Sequence, residues 1–127
     1  MNLALWIVAG LLAVAFLAGG VIKLVLSKER LAAAPGGGWT ADFGAGAIKA
    51  IGAVEVLAAV GLVLPAVLDI APVLVPLAAS GLVLLMGGAI ITHLRRHEHK
   101  AIVANLAYLA LAGFVAWGRF GPESFTG

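Results

Sequence analysis

Apolar residues run through this chain in four long blocks separated by short polar stretches. The blocks cover about residues 3–26, 44–64, 72–93 and 101–117. A helix needs ~20 predominantly apolar residues to cross the hydrocarbon core of a bilayer. The first three blocks meet that length, and the fourth, with 17 residues, sits near the lower limit. Pro72 and Pro76 suit the first turns of the third block, where a missing N–H matters least. Pro65 is expected to end the second. The pattern predicts an all-α polytopic membrane protein, an antiparallel four-helix transmembrane bundle in one domain over residues 1–127. Its cytoplasmic loops would be 27–43 and 94–100. The first block lacks a basic leader and a small-residue cleavage site, so it reads as a retained helix rather than a signal peptide.

The connections differ in character. Residues 27–43, SKERLAAAPGGGWTADF, form the only long one, and Pro35 followed by Gly36, Gly37 and Gly38 stops any helix there. Trp39 and Phe43 beside Asp42 read as interfacial anchors. Residues 65–71 make a tight turn around Asp69, and 94–100 form a polar loop. No internal repeat is visible.

Composition narrows the function classes. The chain is 63% hydrophobic and 11% charged, against ~25% charged residues in a soluble domain. With no cysteine, disulfides, thiolate metal sites and dithiol redox chemistry are excluded. The net charge is only +2 and the basic residues form no long stripe, which argues against nucleic-acid binding. Membrane lipids are the expected surroundings. A protein partner or a homo-oligomer is left open.

The distribution of charge sets an orientation. Lys23, Lys28, Arg30, Lys49, Arg95, Arg96 and Lys100 fall at one end of the predicted bundle, and Arg119 alone falls at the other. By the positive-inside rule the basic loops face the cytoplasm and both termini face outside, in a bacterial inner membrane.

Glu55 is the residue that most needs an explanation, because it lies near the middle of the second block. A carboxylate at that depth costs several kcal/mol, roughly 2.5–3.5 on insertion scales, and marks a functional site with a polar partner. Lys23, Lys49, His93, Asn105 and Tyr108 fall at or below its depth on the basic side, so all five are candidate partners. Lys49 and Glu55 are six residues apart, about 240° around a helix, and can meet only diagonally. Simpler roles exist for each. Lys23 and Lys49 could carry their ammonium groups to the headgroups. Asn105 and Tyr108 could bond across helices as packing groups. His93 and His97 have the i, i+4 spacing of metal ligands, but with His99 and Glu98 they lack a well-placed third, and no metal is expected. Gly19, Gly20, Gly52, Gly61, Gly81, Gly87 and Gly88 are expected to let helices approach closely.

FLAGGVIKL in the first block, KAIGAVEVLAAVGLVLP in the second, PLAASGLVLLMGGAIITHLRR in the third and Asn105 leading to WGRF in the fourth together resemble the DoxX-like family of small four-helix membrane proteins. The strongest pieces are Lys49, Gly52 and Glu55 with Gly61 and Pro65 following, and His93 closing the third block. The resemblance implies the four-helix fold. It also suggests a quinone-linked role, since the family takes its name from a subunit of a thiosulfate:quinone oxidoreductase. Two functions are therefore expected. In one, the chain is a membrane subunit or small enzyme with a polar pocket. Glu55 and His93 would be its acid/base candidates, and Lys23, Lys49, Asn105 and Tyr108 would hold a lipophilic ligand such as a quinone. In the other, it is a non-catalytic partner or assembly factor for another protein.

Overall fold

The computed structural model describes residues 1–34 and 37–125. Helix α1 spans Asn2–Val25, a short helix α2 spans Lys28–Ala33, and a 3-10 turn covers Gly37–Asp42. Helices α3, α4 and α5 span Ala45–Val67, Leu74–Arg95 and His99–Phe120. There is no strand among the described residues. The four long helices are each long and apolar enough to cross a membrane. Their 22–24 residues correspond to about 33–36 Å at ~1.5 Å per residue, enough for a hydrocarbon core of ~30 Å.

Helix α1 packs chiefly on α3, α3 on α4 and α4 on α5, and α5 returns to α1. This closes an antiparallel four-helix bundle. The buried seam follows the 3–4 spacing of helix packing. In α1 it is Leu5, Ala9, Leu12, Phe16 and Gly20, and in α3 it is Ile48, Gly52, Glu55, Ala59 and Leu62. In α4 it is Val75, Ala79, Leu82 and Met86, and in α5 it is Ala112, Val115 and Gly118. Glu55 thus occupies a core position of its helix. The outward faces carry Leu3, Ile7, Leu11, Leu57 and Val103, all exposed, as a lipid-facing surface requires.

Several boundaries differ from the sequence expectation. Helix α3 does not stop at Pro65 but continues to Val67. Pro65 lies in the last turn, and its carbonyl accepts from Ile70 N–H at 3.0 Å while Ala66 accepts from Asp69 N–H at 3.3 Å. Asp69 has φ 53°, so the helix closes in a Schellman motif with an aspartate in the left-handed position. The fourth helix is 22 residues long, not 17, and takes in His99 and Lys100 at one end and Gly118–Phe120 at the other. A helical backbone satisfies its own N–H and C=O groups, so polar residues at the membrane edge continue the helix. The polar loop shrinks to the three residues Arg96–Glu98.

The glycines divide by position. A Cβ on Gly20 would come within 2.7 Å of Gly52 O, and a Cβ on Gly52 within 2.8 Å of Gly20 O. The backbones of α1 and α3 cross at this pair, in contact that any larger residue would block. Gly118 accommodates Leu5, whose methyl carbons lie 2.6 Å from where a Cβ would stand. Gly61 faces Ala78. By contrast, nothing lies within 4 Å of a Cβ at Gly81, Gly87 or Gly88. These three do not serve close approach, contrary to the sequence expectation.

Candidate functional site

The crossing of α1 and α3 places Lys23 and Glu55 together. Lys23 Nζ lies 2.7 Å from Glu55 Oε1, with the carboxylate side chain 6% exposed and the lysine side chain 20% exposed. The pair sits beside Gly19, where a Cβ would come within 3.2 Å of Glu55 Oε2. The ammonium also lies 5.7 Å from the centroid of the Trp39 ring, a cation–π distance. Taking two charges out of water costs several kcal/mol per ion unless they are paired, and this pairing supplies the partner that the depth of Glu55 demands.

The end of α4 builds a second pair. His97 adopts φ 57°, and Glu98 N–H donates to His93 O at 3.0 Å while His97 N–H donates to Leu94 O at 3.3 Å. This Schellman motif turns the chain so that Glu98 comes back over His93. His93 Nδ1 is 2.8 Å from Glu98 Oε1. Arg96 lies against the same carboxylate, with Nε 3.4 Å from Oε1, and its Nη1 is 3.3 Å from Asp42 Oδ1. The hydrogen bond from His93 holds the Glu98 carboxyl below the usual glutamate range, with the charges of Arg96 and His93 adding to it against some desolvation. The chain Asp42–Arg96–Glu98–His93 ties the 3-10 turn to the α4–α5 turn.

Between these two pairs lies a cavity of about 600 Å³. Its walls are apolar, with Phe16, Ile51, Leu85, Met86 and Ala89 among them. Its polar lining is Lys23, Glu55, Thr92, His93, Asn105 and Tyr108. The Tyr108 ring packs edge-on against Phe16 at 5.2 Å. Among the described residues the Tyr108 hydroxyl and the Asn105 amide have no hydrogen-bond partner. Trp39 and Phe43, in edge-to-face contact at 5.9 Å, line the cavity from the 3-10 turn and its end. Leu84, 78% exposed on the outer face of α4, also lines the cavity, so the space reaches the lipid-facing surface.

Five of the six residues singled out from the sequence therefore share one cavity: Glu55, His93, Lys23, Asn105 and Tyr108. Lys49 does not join them. It is exposed, and its Nζ donates to Leu24 O at 2.9 Å, satisfying a carbonyl at the end of α1. Sequence reasoning missed Glu98 as the partner of His93, and it did not foresee that Trp39 and Phe43 line the cavity. The interval of five residues between His93 and Glu98 carried the only signal, and it becomes a contact only through the left-handed turn at His97. The sequence also missed Arg119, which is 4% exposed. Its Nη1 donates to Asn2 Oδ1 at 2.8 Å and to Glu123 O at 2.9 Å, and its guanidinium lies 3.9 Å from the Phe125 ring centroid. It fastens the start of α1 to the end of α5.

No curated protein and no solved structure matches the chain. Residues 7–115, from the first turns of α1 nearly to the end of α5, match the DoxX-like family, and the match takes in every residue of the cavity. With four apolar spans and that match over most of its length, the chain is a multi-pass membrane protein of the DoxX-like family.

Proposed function

We propose that this protein binds a lipophilic ligand with a polar head group in the cavity around Glu55, as a membrane subunit or small enzyme. A quinone is the ligand that the family's name suggests. The observation that carries the reading is the cavity itself: about 600 Å³, apolar-walled, with a few convergent polar groups. Ligand sites of ~300–1,000 Å³ have this composition. Its reach to Leu84 supports entry from the hydrocarbon. The lining suits a quinone head group: Phe16 and Met86 supply apolar surface for a ring, and the Tyr108 hydroxyl and Asn105 amide can donate to ring oxygens. A bound quinone would supply two-electron, two-proton chemistry. Glu55 and His93 are the groups of this chain that would hold or pass protons beside it, while Lys23 fixes Glu55 in place.

A non-catalytic helper role would be favoured by a carboxylate facing outward toward a partner. Glu55 is 4% exposed within this single chain, which supports the cavity reading instead. The basic end, where His93 and Lys23 lie, is proposed to face the cytoplasm of a bacterial inner membrane, with both termini outside. The seven-to-one distribution of lysine and arginine supports this.

The test is titration of the protein in nanodiscs with a short-chain benzoquinone, read by quenching of tryptophan fluorescence, since Trp39 lines the cavity. Saturable quenching is expected from the quinone and from its quinol, and the affinity for the quinol, whose hydroxyl the carboxylate can accept, should fall at least about tenfold in Glu55→Gln, which keeps shape but cannot ionise. Membrane insertion of that variant should be normal. Quenching that never saturates, or a quinol affinity unchanged in Glu55→Gln, would refute the reading.

A further inference from the structure

We infer that the cavity selects ligands whose head group carries a hydroxyl, of the phenol or hydroquinone class, over those that offer only a carbonyl or an ether. This rests on reading the cavity as a lipophilic-ligand site and names the chemistry it prefers.

The argument starts from the proton between His93 and Glu98. The two side chains approach at 2.8 Å through Nδ1 and Oε1. A carboxylate only accepts, so the shared proton belongs to Nδ1, and Nδ1–H donates to Glu98. In a neutral imidazole the other nitrogen, Nε2, is then an acceptor. The carboxylate cannot easily turn away. Its backbone N–H is bonded to His93 O at 3.0 Å, and Arg96 lies 3.4 Å from the same Oε1 while also reaching Asp42. The tautomer is thus set from outside the cavity by groups at the bundle surface.

The His93 side chain is 12% exposed and lines the cavity. Among the described residues its Nε2 has no protein partner. The other fixed polar group is the Glu55 carboxylate, bonded through Oε1 to Lys23, and it too accepts. The Lys23 ammonium, held by that carboxylate and beside the Trp39 ring, keeps two of its three N–H groups, so the donors of the lining belong to the Glu55 end and not to His93. Tyr108 and Asn105 can each donate or accept, so they do not discriminate. At His93 the fixed polarity is that of an acceptor, and its complement is a ligand O–H. A site built to bond a hydroxyl rejects the analogue lacking it far more strongly than an apolar pocket rejects a change of size. No bond is broken in this recognition: the ligand keeps its proton and donates it to Nε2. Glu98 is a positioning residue, acting through His93.

The experiment compares 4-decylphenol with its methyl ether, 4-decylanisole, on the full chain in nanodiscs, with empty nanodiscs correcting for partition. Trp fluorescence reads binding, and ¹⁵N NMR of the imidazoles reads the tautomer at about pH 8, where an ordinary imidazole is neutral. The phenol should bind at least about tenfold tighter than the ether. The ratio should collapse to under about twofold in His93→Phe and fall to an intermediate value in Glu98→Ala, where the ring is free to change tautomer. The NMR of the unaltered protein should show His93 protonated at Nδ1. Equal affinities, a ratio retained in His93→Phe, or an Nε2–H tautomer would overturn the inference while leaving the lipophilic site standing. Failure of phenol, ether and benzoquinone alike to bind would overturn both.

Discussion

Lys23 and Glu55 form an ion pair of 2.7 Å across the contact of α1 with α3, four and three residues beyond the Gly19 and Gly52 that make room for it. Neither charge has another ionic partner among the described residues. Removing one partner strands the other. Lys23→Met is expected to destabilise the protein by about 3 kcal/mol, whereas Lys23→Met combined with Glu55→Leu should recover much of that loss. Reversible unfolding in mixed micelles with increasing dodecyl sulfate measures both. A double variant as unstable as the sum of the single ones would mean that the pair is not coupled.

The glycines should respond unequally to one methyl group. Gly52→Ala drives a Cβ to 2.8 Å from Gly20 O and from Lys23 Cβ, so the helices must part. A loss of about 1–3 kcal/mol is expected, along with weaker ligand binding because Lys23 is displaced. Gly81→Ala meets nothing within 4 Å and should stay within about 0.5 kcal/mol of the parent. The same unfolding assay distinguishes them, and equal effects would contradict the observed crossing.

His97 holds a left-handed backbone at φ 57°, a conformation that glycine adopts freely and β-branched residues resist. His97→Gly should leave stability unchanged or raise it by up to about 1 kcal/mol, while His97→Val should lower it by about 1–2 kcal/mol. The valine variant should also disturb the His93–Glu98 contact, visible in the ¹⁵N shifts of the His93 ring.

The same contact carries a pH dependence with a definite sign. Glu98 titrates below the usual glutamate range, chiefly because His93 donates to it. Its stabilising contribution is therefore complete above the ordinary glutamate value of about 4.3 and is lost as pH falls through the lower, folded value. Amide-exchange protection of His97 and Glu98 should be steady from neutrality down to about pH 5 and fall only below about pH 4. In Glu98→Gln the turn should lose this acid-dependent step.

The absence of cysteine makes orientation directly measurable. Single cysteines at Glu29 and Pro122, both exposed, can be labelled in intact bacterial cells with a membrane-impermeant maleimide. Pro122→Cys should label and Glu29→Cys should label only after lysis. The opposite result would turn the bundle over and place the end that holds Lys23 and His93 outside.

The sequence alone determined the four helices, their antiparallel order and the inward placement of Glu55. Hydrocarbon forces each backbone polar group to be satisfied within its own segment, so a long apolar block has one answer. A carboxylate in mid-block has one affordable direction. Lysine and arginine counting separated the two ends for a related reason, since those side chains mark where apolar blocks meet water. Which face of each helix is buried could not be read from hydropathy, because the lipid-facing Leu57 and Val103 and the core Leu62 and Val115 are equally apolar. In a membrane the seam is selected by shape, at Gly20, Gly52 and Gly118, and shape complementarity exists only between helices already packed. That packing chose Lys23 rather than Lys49 as the partner of Glu55, since it sets Lys49 against the Leu24 carbonyl at the end of α1. The left-handed turn at His97 brought Glu98 back to His93, and the Asp42–Arg96 contact helped hold the 3-10 turn with Trp39 over the cavity. These are relations between segments, fixed by the geometry of contact and not by the character of any segment alone.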